Sequence, residues 1–278
     1  TKYDALLPIL TDKIDGAVLD AARDQLKVVA NYAVGFNNID LEAAKARKVT
    51  ITNTPGPEIS ESVAEHTIAL IFALAHRVVE GDDFVRAGRY KHWGPQLLLG
   101  TDIVGKTIGI VGMGRIGSSI AKRLYDGFGI KILYTNKSAS KDAEKQFNAK
   151  RVGLTELLKK SDFVTLHVPL LPSTVHLIGA KELKLMKKTA FLINTSRGPV
   201  IDEKALLSAL KKQSIGGAAL DVYEFEPKVP ATMKKLANVI TTPHTASATV
   251  ETRQAMSTRA AENIIAVLSG KKPKNKIV

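Results

Sequence analysis

The sequence contains no cysteine. Disulfides, thiolate metal sites and a cysteine nucleophile are thereby excluded, and a reducing compartment suits the chain. It also lacks a long hydrophobic run: the longest, Ile68 to Ala75, falls far short of the ~18 residues that a membrane helix needs. No low-complexity tract, internal repeat or signal-peptide pattern is visible. No membrane association is expected, therefore, and a cytoplasmic location is. An initial methionine is missing too. The chain opens TKYDALL, almost directly in an apolar strand, and a further N-terminal piece is expected to precede it.

What the chain has in excess is positive charge: 40 Lys and Arg against 27 Asp and Glu, a net +13 and a pI near 9.7. A basic surface attracts nucleic acid, and equally small anions such as phosphorylated cofactors and carboxylates. The lysines are scattered along helical segments (Lys159, Lys160, Lys187, Lys188, Lys211, Lys212), apart from the cluster KKPKNK in the tail, and no aromatic residues alternate with them. A solvated basic surface is the expectation, and nucleic acid is not an expected partner. The 278 residues suffice for two domains of ordinary size.

Short apolar runs alternate with helical patterns almost throughout. DALLPIL, LKVVANY, VTITN, TIGIVG, KILYT, FVTLHV, AFLINT, GAALDV and NVITT read as strands, with helical segments such as Leu41–Lys48, Thr155–Lys160 and Glu203–Lys212 between them. Strands rich in Val, Ile and Leu that alternate with helices predict parallel sheets covered on both faces. From about Ser60 to Gly88 the pattern predicts one long helix, apolar in its first half, as a connector between domains. A second long helix is predicted from Val250 to Ser269.

The strand TIGIVG runs straight into GMGRIG, Gly112 to Gly117, and then into the helical segment SSIAKRLYDGFG. That context raises G-x-G-x-x-G above a chance match. Gly112 permits the tight turn, Gly114 lets backbone approach a pyrophosphate, and Gly117 lets the helix pack on the strand. Gly112, Gly114, Arg115, Ile116 and Gly117 are therefore candidate cofactor contacts. The next strand should end in an acid that holds the ribose hydroxyls; it ends instead in Thr135, Asn136 and Lys137. Asn136 removes the repulsion that an acid would exert on a 2′-phosphate, and Lys137 supplies a cation, with Ser138 and Lys141 as further donors. One charge-assisted hydrogen bond is worth roughly 1.5–3 kcal/mol, so NADP(H) is the expected cofactor and NAD(H) the alternative.

Three later strands end in polar residues that a buried sheet does not need. FLINTSRGPVID carries Arg197, GAALDVYEFEP carries Asp221 and Glu226, and NVITTPHTAS carries His244. Singly, each reads as a surface charge, a turn or a packed histidine. Ligands gather beyond the C-terminal ends of strands in open α/β sheets, so the three together indicate a site.

With these residues in place, the chain resembles the D-isomer-specific 2-hydroxyacid dehydrogenases over essentially its whole length. The segments VGFNNID (34–40), NTPG (53–56), GMGRIG, NTSRGPVID (194–202), LDVYEFEP (220–227) and TTPHTAS (241–247) carry the resemblance. ILYTNKS with TTPHTASAT is most similar to the glyoxylate/hydroxypyruvate reductase branch, and the Glu226–His244 pair argues against the formate dehydrogenase branch. The resemblance implies two Rossmann/flavodoxin-like α/β domains with the active site in the cleft between them. The dinucleotide-binding domain would span 58–249, and the substrate domain 1–57 plus 250–278. It implies an NADPH-dependent reduction of a small 2-keto acid to the D-2-hydroxy acid by a homodimer. His244 would act as the acid. Glu226 would bond its far nitrogen and favour the imidazolium. Arg197 would clamp the substrate carboxylate or carbonyl. Asp221 would hold the nicotinamide carboxamide region and Thr174 would reach the phosphates. The backbone N–H groups of Val34 and Gly35 would bind the substrate carboxylate. No metal is implied. The rival expectation is a catalytically silent, nucleotide-sensing relative of the corepressor type.

Among the other histidines, His66 and His76 are expected to pack or cap, and His167 and His176 to serve the structure. Trp93, in KHWGPQ, either packs at the surface of its own chain or reaches a neighbouring subunit's site, as that loop can in this branch.

Overall fold

The computed structural model describes residues 3–22 and 25–278. In chain order the elements begin β1 (Ala5–Leu6), α1 (Gly16–Ala21), β2 (Val28–Ala30), α2 (Leu41–Ala46), β3 (Thr50–Thr52) and α3 (Pro57–Ala75). Next come α4 (Val78–Arg86), β4 (Thr107–Val111), α5 (Arg115–Phe128), β5 (Lys131–Thr135), α6 (Lys141–Phe147) and β6 (Lys150–Arg151). Then follow α7 (Leu154–Lys160), β7 (Phe163–Leu166), α8 (Ala180–Leu183), β8 (Phe191–Asn194) and α9 (Glu203–Lys211). The chain closes with β9 (Gly217–Leu220), β10 (Val239–Thr241) and α10 (Val250–Leu268). These elements form two units, Thr1–Ser62 with Ser247–Val278, and Val63–Ala246.

The larger unit is built on a seven-stranded sheet in the order β10-β9-β8-β7-β4-β5-β6, and every pairing in it is parallel. Successive side chains of a strand face opposite sides of a sheet, and the apolar residues divide accordingly. Ile108, Ile110, Phe163 and Ile193 join one buried cluster with Ile120 and Leu124 of α5. Val111, Val164, Leu166 and Leu192 join another with Leu157 of α7 and Leu206 of α9. Both faces are thus covered, as continuous Val/Ile/Leu runs require.

The smaller unit has a three-stranded parallel sheet in the order β1-β2-β3. Asp15 and Asp40 cap α1 and α2 by accepting the N–H groups of Val18 and Ala43. The tail runs beside β3: the Ile51 N–H donates to the Val278 carbonyl at 3.1 Å, and the Ile277 N–H to Ile51 at 2.7 Å. Thr249 caps α10 by accepting the Thr252 N–H at 3.2 Å.

Two expectations need correction. The long helix predicted over 60–88 is two helices, α3 and α4, bent by 62°. Arg77 stands between them in the left-handed region at φ 52°, its guanidinium gripping Glu80 at 2.8 and 2.7 Å. The Thr101 N–H takes the Ala75 carbonyl at 2.8 Å, so one of the orphan carbonyls at the helix end is satisfied from another part of the chain. The other correction is β6, which falls outside the predicted strands. Its two residues are exposed and charged, and they pair with Leu133 and Tyr134 through the backbone alone.

Candidate active site

At the end of β4 the chain turns through Gly112 at φ 103°, and a Cβ there would lie 2.6 Å from the His167 carbonyl oxygen. A Cβ at Gly117 would run into the Gly112 carbonyl, whereas one at Gly114 would meet nothing within 4 Å. Gly112 and Gly117 are therefore glycines for packing, and Gly114 for open space beside the loop. Gly114 is also the N-cap of α5 and gives it no side-chain cap. The N–H groups of the first turn, which contains Arg115 and Ile116, are left for an outside acceptor. β4 lies between β5 and β7, where the chain's winding reverses and ligands gather.

His167, just beyond β7, adds an orphan. Its Nε2 lies 2.8 Å from the Thr165 hydroxyl, while its Nδ1 is inaccessible and has no partner. Burial pushes its pKa down to about 3, so the ring is neutral. Buried polar atoms normally find partners, and this one has none; the open space at Gly114 and the uncapped first turn of α5 are the features that fit a dinucleotide. Beyond β5, Asn136 is half-buried and Lys137 and Ser138 are exposed. Thr174 is committed to its own turn, donating to the Pro169 carbonyl at 2.7 Å and accepting the Leu171 N–H at 2.8 Å.

The other polar residues stand at the ends of β8, β9 and β10, which are neighbours in the sheet. His244 Nδ1 lies 2.9 Å from Glu226 Oε2, and Glu226 Oε1 accepts the Tyr223 N–H at 2.9 Å. His244 sits at φ 54°, an uncommon conformation for a residue with a Cβ and one that concentrates at functional sites. Arg197 is half-buried and donates to the Ser196 carbonyl at 2.7 Å. Its turn is shaped by Asn194, which donates to the Arg197 carbonyl at 2.9 Å and accepts the Ser196 N–H at 3.0 Å. Gly198 then packs so closely on the Tyr223 backbone that no Cβ fits.

Burial alone would raise the Glu226 carboxyl. The hydrogen bond and charge of His244, the Tyr223 N–H and the Arg197 charge outweigh it and hold the group below its usual value. Burial lowers Arg197, and the Glu226 charge opposes that. Arginine nonetheless stays charged. Burial and the nearby Asp221 push Tyr223 up to about 12, so its hydroxyl keeps its proton and donates to the Thr242 carbonyl at 2.8 Å.

Asp221 is fully buried and has a task that the sequence does not announce. It accepts the Thr242 hydroxyl at 2.6 Å and the N–H groups of Thr245 and Ala246 at 2.8 Å each, clasping the loop around His244. His66 joins the cluster, its Nε2 3.3 Å from the Thr242 hydroxyl and 3.7 Å from Asp221. It is therefore more than a packing residue. Thr242 and His66 were missed; the one signal for Thr242 is its place directly before Pro243-His244.

Of the remaining residues, His76 stacks on Phe72 with ring centroids 6.2 Å apart, and His176 lies 2.7 Å from Glu224. Trp93 is 75% exposed, which overturns packing within its own chain. In the smaller unit, Asn53 donates to the Val34 carbonyl at 2.7 Å and Asn31 to the Gly35 carbonyl at 2.9 Å. The N–H groups of Val34 and Gly35 have no acceptor among the described residues. Among those residues no group of three or more His, Asp or Glu is placed to hold a metal ion, and no single helix is long and apolar enough to cross a membrane.

The profile described as "D-isomer specific 2-hydroxyacid dehydrogenase, NAD binding domain" matches residues 68–246. A glyoxylate reductase from Korarchaeum cryptofilum is 50% identical over 274 residues, which cover 98% of this chain and 82% of that one. The crystal structure of an NADPH-dependent glyoxylate/hydroxypyruvate reductase from Sinorhizobium meliloti, in complex with NADP and malonate, superposes with a TM-score of 0.88. It is 32% identical, over 99% of this chain and 84% of that one. D-lactate dehydrogenase from Aquifex aeolicus, complexed with NAD and lactic acid, gives a TM-score of 0.89 at 31% identity, over 100% of this chain and 87% of that one.

Proposed function

Because the chain belongs to the D-isomer specific 2-hydroxyacid dehydrogenase family, in its glyoxylate reductase branch, we propose that it reduces glyoxylate, hydroxypyruvate or a similar small 2-keto acid with NADPH. The product is the D-2-hydroxy acid. That it is an NAD(P)-dependent 2-hydroxyacid dehydrogenase follows from the family; the substrate, the cofactor preference and the residue roles are our reading. The observation that carries it is the 2.9 Å pairing of His244 Nδ1 with Glu226 Oε2. With Nδ1 engaged by Glu226, the ring is held in one orientation and Nε2 is the nitrogen available to protonate a carbonyl oxygen.

Arg197, with its planar fork, binds the substrate carboxylate or carbonyl and draws electron density from the reacting carbon. The backbone N–H groups of Val34 and Gly35 serve as further donors to the carboxylate. Asp221 holds the His244 loop by the bonds described, and we keep it as a neighbour of the carboxamide. The dinucleotide is assigned to Gly112, Gly114, Arg115, Ile116, Gly117 and Thr174, and its 2′-phosphate to Asn136, Lys137 and Ser138. When bound there, the nicotinamide supplies the hydride. We assign residues 58–249 to the dinucleotide-binding domain and 1–57 with 250–278 to the substrate domain, a division that the two compact units support. A homodimer in the cytoplasm completes the proposal, the 75% exposed Trp93 being available to a second subunit.

Steady-state kinetics on a panel of small 2-keto acids, with NADPH and NADH side by side, test this. Turnover of glyoxylate or hydroxypyruvate at a lower KM for NADPH is expected. NADPH binding without turnover of any keto acid would favour the silent relative, and equal KM values would remove the cofactor preference.

A further inference from the structure

One side of the β5–α6 loop is held by a residue outside the motif, Arg151. Arg151 lies in β6 beside Tyr134 in the strand register. Its Nη2 donates to the Asn136 carbonyl at 3.0 Å and to the Lys137 carbonyl at 2.8 Å, and its Nε to Asn136 at 3.3 Å. One edge of the guanidinium therefore grips two consecutive carbonyls. The far end of the loop is tied separately: the Ser140 N–H donates to the Tyr134 hydroxyl at 2.8 Å, which donates to Glu144 at 2.6 Å.

In a trans peptide the carbonyl of one residue and the N–H of the next point in opposite directions. The only cis bond among the described residues is Glu226–Pro227. Drawing the carbonyls of Asn136 and Lys137 towards Arg151 therefore turns the N–H groups of Lys137 and Ser138 the other way. Neither N–H has an acceptor among the described residues. Successive N–H groups turned to one side form an anion-binding concavity. The stretch TNKSASK contains no carboxylate, and Glu144, on the adjoining helix, takes its bond from Tyr134.

We propose that Arg151 is the positioning residue for cofactor selection, pulling two carbonyls back so that two N–H groups face the 2′-phosphate beside Lys137 and Ser138. The proposal rests on the NADPH reading and gives it a mechanism: selection by loop shape as well as by charge. Arginine suits the task because its planar edge fixes Nε and Nη2 against the two carbonyls together, whereas a lysine ammonium on a flexible stem is not preorganised to hold both.

The test compares binding of 2′,5′-ADP and 5′-ADP, by calorimetry, to the wild type, Arg151→Ala and Arg151→Lys, alongside KM values for NADPH and NADH. Wild type is expected to favour 2′,5′-ADP. Both variants should lose about tenfold of that preference, the scale of one charged hydrogen bond, and raise KM for NADPH while holding that for NADH. An undiminished preference in Arg151→Ala overturns the proposal. A wild-type preference in Arg151→Lys shows that charge alone suffices, and equal losses of both nucleotides show a collapsed loop; each result also overturns it. If the wild type itself does not discriminate, the NADPH reading fails, and the two failures are thereby told apart.

Discussion

The carboxylate of Asp221 accepts the hydroxyl of Thr242 at 2.6 Å, and this bond fixes the chain two residues before His244. Asn in place of Asp221 keeps the shape but turns an NH₂ group towards donors. Leaving buried donors unsatisfied costs about 1–3 kcal/mol. Asp221→Asn is expected to lower the denaturation midpoint and kcat together; a variant stable and active as wild type would refute the clasp.

His244→Ala should reduce kcat by about 10²–10⁴-fold, the usual worth of a positioned acid, with cofactor affinity little changed. Glu226→Gln keeps the shape but not the charge and should reduce kcat in the same direction by less. Calorimetric NADPH binding beside turnover measures both, and full activity of the His244 variant would remove it as the acid.

Gly198→Ala tests the contact between the Arg197 turn and the Tyr223 backbone. Overpacking of this kind costs about 1–3 kcal/mol, and relief would move Arg197 away from Glu226. A lower melting temperature with reduced kcat/KM is expected. Wild-type values in both would mean that the turn relaxes freely.

His167 makes stability depend on pH. Its folded pKa of about 3 lies below the ordinary 6.5, so in that window the unfolded chain takes up a proton and the folded chain does not. Stability therefore falls as pH falls from 6.5 towards 3, by about 1.4 kcal/mol per unit. Glu226 adds a loss of the same sign: its lowered carboxyl stabilises the fold above the ordinary 4.5, and the contribution goes as pH drops through the folded value. Urea titrations across pH should show His167→Gln with a shallower slope; an unchanged slope would place the proton uptake elsewhere.

Lys137→Ala should raise KM for NADPH and leave that for NADH alone. Equal changes with both cofactors would mean that the cation does not read the 2′-phosphate.

The architecture could be read from the sequence where burial dictated composition. β4, β7 and β8 are legible because strands buried on both faces admit little besides Val, Ile and Leu. β6 was not, because Lys150 and Arg151 pair by backbone on an exposed edge and leave no apolar signature. Nor was the break at Arg77, since the N–H that takes the Ala75 carbonyl comes from Thr101, well beyond any helical period. In the site, Arg197, Glu226 and His244 stood out as polar residues at strand ends. His66 did not, because its partners Thr242 and Asp221 come to it only through the sheet. Arg151 left no signal for a similar reason: its bonds go to two carbonyls, which every residue has.

The two units differ in how they come off the ribosome. Val63–Ala246 is one continuous stretch, whereas the smaller unit joins Thr1–Ser62 to Ser247–Val278. At ~5–20 residues per second, the opening segment is exposed for roughly ten to forty seconds before Ile277 and Val278 can cover β3 and α10 can dock. The continuous unit can fold as soon as its own stretch is made, whereas the smaller one has to wait for its second segment.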